Sequence, residues 1–357
     1  MQALSEYSLL SLYLYLTDHC NMNCGHCWIS PQFSTEPCRG VPLAVLEKCV
    51  REAEPLGLAS VKLTGGEPLL YEEIAGLFSF FERNGRIHVY LETNGTLIDD
   101  EMVTRFKSAP MAQVSVSLDA AEEEIHDRIR GVKGSFRKVV EGLQLLSGAG
   151  LNLQIIMTLQ ARNRDQIPGL VSMARDLGAS SLKINPLMPC GRGIQAFGHG
   201  QNLQIEELRR LYAWTEQELS QAGDMEIQFD LPPAFKTIHE IKRTGLGECR
   251  ILNILGILAN GEISMCGIGQ AAESLRIGNV QENSISHVWG NSPLLRDLRV
   301  SLPGKLKGIC GRCIFRFQCL GCCRANGYAL SGDLFAPFFL CQELFDAGLF
   351  PASRRVD

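Results

Sequence analysis

Short apolar runs alternate with longer amphipathic stretches between residue 9 and about residue 190. Apolar runs bounded by polar or glycine residues are typical of buried strands, whereas apolar positions that repeat every three or four residues are typical of helices. Regular alternation of the two predicts repeated βα units and a parallel sheet. The predicted strand cores are 9–16, 61–63, 87–92, 113–118, 153–158 and 181–185. The predicted helices lie near 42–55, 71–84, 99–107, 135–149, 165–177 and 204–221. Six βα units are too few for a closed barrel, which has eight.

The pattern changes after residue 245, where the helical period fades and glycines and cysteines become frequent. Two apolar runs, 251–258 and 262–265, flank Asn260-Gly261, and Asn-Gly between such runs is a strong hairpin signal. The predicted hairpin brings Cys249 and Cys266 together.

The length of 357 residues favours one large domain and an appended smaller one. We predict an N-terminal extension at 1–8, a barrel domain at 9–225, a linker at 226–244, a cysteine-rich domain at 245–345 and a tail at 346–357.

Composition narrows the class of protein. Apolar residues make up 45% of the chain, charged residues 20%, and the formal net charge is −5, so nucleic acid is not an expected partner. No basic segment precedes Arg39, which argues against a signal peptide, and the longest apolar runs are much shorter than the ~20 residues of a membrane span. We therefore expect a cytoplasmic protein without a membrane segment, in which many of the fourteen cysteines are metal ligands and not disulfides.

Three of these cysteines, Cys20, Cys24 and Cys27, form the pattern C-x3-C-x2-C directly after the first predicted strand. A cubane iron–sulfur cluster takes four thiolates, so three would leave one iron open to another ligand. A zinc knuckle or purely structural thiols are the alternatives.

This triplet, followed one βα unit later by Thr64-Gly65-Gly66-Glu67-Pro68, resembles the radical S-adenosylmethionine (SAM) superfamily. The resemblance implies a partial (β/α)6 TIM-like barrel, a fold of the α/β class. It also implies a [4Fe–4S] cluster on Cys20, Cys24 and Cys27 that binds SAM through its open iron and reduces it to methionine and a 5′-deoxyadenosyl radical. Residue 26 is usually aromatic in the superfamily; here it is His26, which would border SAM together with Trp28.

Chemistry in a parallel barrel is located where the strands end. By the resemblance, Gly65, Gly66 and Glu67 hold the SAM amino group. Further SAM-pocket residues implied at later strand ends are Thr93, Asn94, Ser117, Asp119 and Arg130, the last as partner of the SAM carboxylate. The alternatives are helix capping for the polar residues and an ordinary solvated position for Arg130.

Other features of the barrel are assigned structural roles. Lys62 and Lys183 are interpreted as solvated or rim residues, and the Pro- and Gly-rich loop 185–193 is expected to cross the barrel mouth. Its Cys190 is interpreted as incidental. Cys38 and Cys49 lack partners at ligand spacing and are assigned to structure.

The C-terminal cysteine array resembles the SPASM domain, a small α+β domain that carries auxiliary iron–sulfur clusters in a subset of radical SAM enzymes. The resemblance implies two clusters, both of the [4Fe–4S] type. One set of ligands is Cys249, Cys266 and Cys323, and the other is Cys310, Cys313, Cys319 and Cys341. A zinc ribbon is the alternative.

The first auxiliary set lacks the cysteine that family members carry shortly before the position of Cys249, since 242–248 contains none. The fourth position is then open, or filled by Cys322 or by a carboxylate such as Glu248. Cys322 is disfavoured if the chain is extended there, because adjacent side chains then point in opposite directions.

The resemblance favours an enzyme that modifies a ribosomally made peptide by hydrogen abstraction and crosslinking or oxidation. A flavodoxin or ferredoxin would donate electrons, and a separate protein is a candidate for leader recognition. A tetrapyrrole side-chain decarboxylase is the alternative. A sulfatase-maturing enzyme is disfavoured because Gly267 stands where that branch has an Asp base, and a simple electron carrier would not need the strand-end motifs. No catalytic base is identified.

Overall fold

The computed structural model describes residues 7–219, 223–246 and 249–356. Its strands are β1 Ser11–Tyr15, β2 His19–Cys20, β3 Gln32–Phe33, β4 Ser60–Thr64, β5 His88–Thr93, β6 Met111–Ser117, β7 Leu153–Leu159, β8 Ser181–Pro186, β9 Glu226–Phe229, β10 Ile254–Ile257, β11 Glu262–Ser264 and β12 Arg276–Asn279.

The helices in the barrel half are α1 Leu43–Ala53, α2 Ile74–Asn84, α3 Asp100–Ser108, α4 Glu123–Arg130, α5 Ser135–Gly148, α6 Ile167–Asp176, α7 Gly193–Gly198, α8 Ile205–Trp214 and α9 Ile238–Thr244. Those that follow are α10 Ile285–Asn291, α11 Pro293–Ser301, α12 Gly308–Gly311, α13 Arg316–Cys319, α14 Arg324–Ser331 and α15 Phe339–Asp346.

The six predicted barrel strands are confirmed as β1 and β4 to β8. They lie side by side in the order β1-β4-β5-β6-β7-β8, and every neighbouring pair is parallel. Helices between consecutive strands supply the crossovers that parallel strands need. The α/β class and the parallel architecture are therefore as predicted.

The sheet extends beyond the predicted strands at both edges. Strand β9 pairs parallel with β8, so residues 226–229, which we predicted as linker, are part of the sheet. At the other edge β10 pairs parallel with β1, and the hairpin predicted around Asn260-Gly261 is present as β10 and β11. The cysteine-rich half is thus joined to the barrel by backbone hydrogen bonds.

Strand residues of the barrel alternate between an apolar and a polar face. The apolar residues face the helices and form the core, for example Leu14, Leu63, Leu91 and Ile184. The polar residues share the opposite face, which we call the lumen: Tyr13, Lys62, Glu92, Ser115, Gln154 and Lys183. Side-chain contacts join these residues across the strands, such as the 3.1 Å hydrogen bond from the Ser115 hydroxyl to Gln154.

Lys62 and Lys183 therefore differ from our prediction. Both are lumen residues with about a third of the side chain exposed, at 28% and 32%, and both form ion pairs. Strand periodicity explains the placement, because each alternates with apolar neighbours that must face the helices.

The C-terminal half is more helical than its sequence pattern indicated, with six short helices between residues 285 and 346. The predicted tail also packs on this half: the Ile314 amide donates to the Arg354 carbonyl at 2.9 Å, and the Val356 amide donates to the Arg312 carbonyl at 2.7 Å. Within the described ranges, no helix is long and apolar enough to cross a membrane.

The two faces of β4 should respond differently to substitution. Leu63 is fully buried, so Leu63→Ala should lower the free energy of unfolding by about 2–5 kcal/mol through loss of apolar contacts and a residual cavity. Lys62→Met, one residue away on the lumen face, should change it by about 1 kcal/mol or less. Urea denaturation of both variants measures the difference; equal losses would contradict the assignment of the two faces.

Candidate active site and cysteine clusters

The three N-terminal cysteines lie together in the loop between β1 and α1. Cys20 and Cys24 are buried and pack with Met22, and Cys27 borders the same small group. Burial, then the charge of Glu67 and those of the other two thiols, raises the pKa of Cys20 to about 12. The structure thus brings the predicted cluster ligands close to one another.

Gly65 and Gly66 press against this cysteine loop. The Gly66 amide donates to the Thr17 carbonyl and the Glu67 amide to the His19 carbonyl, both at 2.8 Å. A Cβ on Gly66 would lie 1.9 Å from the His19 oxygen, and one on Gly65, whose φ is +129°, would lie 2.7 Å from the Thr17 oxygen. We expected these glycines to admit a ligand; the structure shows that they admit the backbone of the cysteine loop, so a side chain at 66 would disturb that loop.

Glu67 links the ends of β4 and β5. One carboxylate oxygen accepts hydrogen bonds from the Thr93 hydroxyl at 2.6 Å and the Leu69 amide at 3.2 Å, and the other accepts from the Asn94 amide at 2.8 Å. The side chain is buried, which raises its pKa to about 7 although these donors favour the charged form. Both oxygens therefore already have protein donors.

Asn94 extends the same network to the first cysteine. Its side-chain nitrogen, Nδ2, donates to the Asn21 side-chain oxygen at 2.7 Å and lies 3.8 Å from the Cys20 sulfur. The helix-capping alternative does not apply, because Asp99 caps α3 by accepting from the Met102 amide at 2.8 Å.

Asp119 and Arg130 form a buried ion pair beside the second cysteine. The Arg130 Nε lies 2.8 Å from an Asp119 carboxylate oxygen, and its Nη1 lies 3.7 Å from the Cys24 sulfur. Burial alone would raise the pKa of Asp119, but the Arg130 charge holds it below its ordinary value. Arg130 is thus neither solvated nor unpaired: its charge is matched by Asp119 before any ligand binds.

His26 and Ser117 are less closely tied to these groups. The His26 Nδ1 lies 3.2 Å from the Gln160 side-chain nitrogen, and burial lowers the His26 pKa to about 4, so the ring is neutral at physiological pH. Ser117 is half-buried at the end of β6, and among the described residues its hydroxyl takes no part in the network.

The sequence analysis missed Arg192, which lies against the cysteine loop. Its amide donates to the Cys27 carbonyl at 2.9 Å, and its guanidinium donates to the Asn23 side chain. Two other guanidinium nitrogens, Nε and Nη2, are buried without a hydrogen-bond partner among the described residues. Arg192 therefore has donors available for a carboxylate. The sequence feature that could have indicated Arg192 is the pair of glycines beside it. Gly191 and Gly193 let the backbone of this loop pack closely against the Trp28 and Met188 carbonyls.

Four C-terminal cysteines line one pocket. Cys310, Cys313, Cys319 and Cys341, the set that the SPASM resemblance assigns to one cluster, surround it together with apolar residues such as Phe350. A hydrogen bond with the Cys341 thiol lowers the pKa of Cys310. The donor set suits an iron–sulfur cluster, whose ligands are thiolates.

Cys249, Cys266 and Cys323 form the other C-terminal group. Burial and then the charges of Cys323 and Cys266 raise the pKa of Cys249, as expected for neighbouring thiols. Cys322 has φ +58° and is not in extended chain, so our reason for disfavouring it does not hold. Glu248, the carboxylate alternative, lies outside the described residues.

In the part of the chain that the structure describes, no three Cys, His, Asp or Glu side chains are placed to hold a single metal ion. The three groups contain three, three and four cysteines, all supplied by loops or by the ends of elements.

Comparison with protein families agrees with this geometry. A model of the radical SAM superfamily matches residues 14–174, which contain the first cysteine loop and the Glu67 network. A model of the SPASM iron–sulfur cluster-binding domain matches residues 249–314. Residues 14–174 form a radical SAM domain. The C-terminal half of the chain carries a SPASM domain, as predicted.

Two curated relatives align over most of the chain. The AdoMet-dependent heme synthase of Methanosarcina barkeri is 29% identical over 89% of this chain and 92% of the relative. The mycofactocin maturase MftC of Mycobacterium tuberculosis is 27% identical over 92% of this chain and 81% of the relative. The relatives thus include enzymes named for different products.

Solved structures show the same fold. Streptococcus suis SuiB bound to the precursor peptide SuiA superposes with a TM-score of 0.74 over 94% of this chain and 76% of that chain, at 19% identity. This likeness supports the shared architecture of the barrel and the SPASM domain.

Gly66→Ala should destabilise the protein by about 1–3 kcal/mol, because its Cβ would push the His19 carbonyl away. The loss should appear as a lower unfolding midpoint together with reduced iron content. Gly148→Ala, at the end of α5 with open space around the added Cβ, is the matched control and should leave both unchanged. A Gly66→Ala protein with wild-type midpoint and iron content would refute the contact as a structural constraint.

Proposed function

We propose that this radical SAM/SPASM enzyme removes a hydrogen atom from a carboxylate-bearing substrate held in the barrel lumen. The bound cluster and SAM would supply the 5′-deoxyadenosyl radical. Cys20, Cys24 and Cys27 would hold the cluster, while Arg192 has free donors for the SAM carboxylate. The chain's own task is to position one C–H bond and to exclude water from the radical.

The lumen charges carry this proposal. The Lys62 ammonium lies 2.6 Å from Glu92, and the Lys183 ammonium lies 3.3 Å from Asp230. Burial would raise the pKa of Glu92, but Lys62 and then Lys183 lower it, so both cations act on one carboxylate. An incoming substrate carboxylate can exchange with Glu92 between the two lysines. An apolar substrate would gain no such interaction with the two lysines.

The lumen also adjoins the SPASM cysteines. Tyr13 packs under the Lys62 ammonium, 4.9 Å from the ring centroid, and the charges of Cys249 and Cys266 contribute to raising its pKa after burial. A substrate in the lumen is therefore close to the group that would accept its electron. The two SPASM clusters would both be [4Fe–4S], and a flavodoxin or ferredoxin would supply the first electron.

A ribosomally made peptide is our first candidate substrate. Relatives named mycofactocin maturase and PqqA peptide cyclase align over 92% and 91% of this chain. Reaction at a side chain or at the terminal carboxylate would proceed by hydrogen abstraction followed by crosslinking or oxidation. A separate protein is a candidate for recognition of the leader.

A tetrapyrrole is the second candidate, favoured by the paired lumen lysines and by the heme synthases among the relatives. Abstraction of a hydrogen from a propionate side chain would leave a carbon radical. Loss of carbon dioxide and transfer of one electron to a SPASM cluster would then give a vinyl group, which balances atoms and electrons.

Anaerobically reconstituted protein should contain about ten to twelve irons in three clusters. The Cys20/Cys24/Cys27→Ala triple variant should lose one cluster and all SAM cleavage while keeping the other two, because these three cysteines lie in a loop separate from all the C-terminal cysteines. Iron analysis and quantification of 5′-deoxyadenosine measure both effects. Zinc in place of iron at the C-terminal cysteines would refute the electron-transfer role.

Lys183→Met should raise the KM for the true substrate about tenfold or more, since a charge-assisted hydrogen bond is worth about 1.5–3 kcal/mol. The assay offers a propionate-bearing tetrapyrrole and, separately, a peptide encoded beside this gene, and it detects substrate-dependent 5′-deoxyadenosine and the product mass. Lys48→Met, on the exposed surface of α1, is the control. An unchanged KM in Lys183→Met would show that Lys183 takes no part in substrate recognition. The assay with the two candidate substrates would still show which of them the enzyme uses.

A further inference from the structure

Cys190 lies in the loop between β8 and α7 and is almost completely buried, with 3% of the residue exposed. The sequence analysis assigned Cys190 no ligand role, because no other cysteine stands within ligand spacing of it. Its surroundings in the structure are different, since the loop is held between the first cysteine loop and the SPASM domain.

Backbone contacts hold the loop on the barrel side. The Arg192 amide donates to the Cys27 carbonyl at 2.9 Å, and a Cβ on Gly191 would lie 2.3 Å from the Trp28 carbonyl. The residue after Cys190 is therefore in direct contact with the chain that carries the third cluster ligand.

The SPASM side is reached from the same loop. The Asn326 side chain donates to the Met188 sulfur at 3.6 Å, and Asn326 belongs to α14, which begins directly after Cys323. The Trp28 ring in turn packs against Gly267, the neighbour of Cys266, where an added Cβ would lie 2.4 Å from the ring. Cys190 is thus bracketed by the segments that carry Cys266 and Cys323.

The thiols themselves are near enough to influence one another. Burial and then the charge of Cys323 raise the pKa of Cys190, and Cys190 in turn contributes to raising the pKa of Cys266 after burial and Cys323. Cys190 is thus a neighbour of Cys266 and Cys323, which form one group with Cys249.

We propose that Cys190 is the fourth thiolate ligand of the SPASM cluster held by Cys249, Cys266 and Cys323. A four-iron cubane takes four thiolates, and this group otherwise supplies three. Ligation forms one sulfur–iron bond and releases the thiol proton to solvent. The inference rests on the proposed presence of that cluster.

Cys322 is the rival ligand. Burial and then the charges of Cys319, Asp230, Cys323 and Cys249 raise its pKa, and Cys341 also responds to its charge, so Cys322 borders both SPASM groups. Cys322 is thus shared between the two SPASM groups, whereas Cys190 adjoins Cys266 and Cys323 and, on the barrel side, Cys27. Ligation by Cys190 would also tie the barrel mouth to the SPASM domain and leave that cluster no open iron for a substrate.

The test compares Cys190→Ala, Cys190→Ser and Cys322→Ala in the full chain, reconstituted anaerobically and saturated with SAM so that the open iron of the first cluster is occupied. Electron paramagnetic resonance of the reduced proteins is recorded with and without cyanide, which binds an iron that lacks a protein ligand. Cys49→Ala, at a buried helix position away from the clusters, controls for loss of a thiol.

We expect wild-type, Cys322→Ala and Cys49→Ala spectra to be alike and insensitive to cyanide. Cys190→Ala should either give a shifted, cyanide-sensitive signal or lose about four irons, while Cys190→Ser should keep the cluster with a shifted signal because an alkoxide can still bind. The serine variant separates ligation from packing, since its side chain is close in size to that of cysteine.

A Cys190→Ala protein with the wild-type spectrum and no cyanide response overturns the proposal, as does the predicted response in Cys322→Ala instead. If Cys249→Ala has the same iron content and spectrum as wild-type protein, the cluster itself is absent, and this part of the proposed function is overturned with it. The two failures are therefore distinguishable.

Discussion

The cysteine loop is held in place by the backbone of the next strand end, at a contact where no side chain fits. The His19 carbonyl occupies the space that a Cβ on Gly66 would fill, and it accepts the Glu67 amide. The Glu67 carboxylate in turn accepts a hydrogen bond from the Asn94 amide at the end of β5, and the Asn94 side chain lies 3.8 Å from the Cys20 sulfur. Three strand ends thus fix one loop, and the relative positions of the three thiols depend on this chain of contacts.

The barrel strands could be predicted from sequence because each combines β propensity with flanking turn signals. The cysteine and Gly-Gly-Glu-Pro motifs were expected at one edge of the sheet, and the structure brings them into contact there. Strand β9 was missed because Glu226–Phe229 is short and follows a long helical stretch, so only pairing with β8 defines it. The partner of Arg130 could not be predicted either, since Asp119 and Arg130 meet only after α4 folds back on the end of β6.

The lumen residues illustrate a different limit. Lys62 and Lys183 stand one residue from fully buried leucines and isoleucines, so the alternation along each strand was visible. The sequence alone does not tell whether the polar face meets solvent at the rim or other charges inside the barrel. Contacts between strands that are distant in the chain decide that question.

The barrel and the SPASM domain are joined by more than a linker. Strand β10 continues the barrel sheet beside β1, and the loop around Cys190 contacts both the first cysteine loop and α14. Such a connection fixes the positions of the cysteine groups relative to one another. In the proposed function, radical formation at the first group and electron acceptance at the others would take place within this joined structure.

The most direct test of this account is the fate of SAM in reduced, cluster-loaded wild-type protein. Chromatography with mass detection would quantify methionine and 5′-deoxyadenosine under strictly anaerobic conditions. The account predicts that both products form in equal amounts. Protein that carries its clusters and binds SAM, yet releases neither product on reduction, would contradict it.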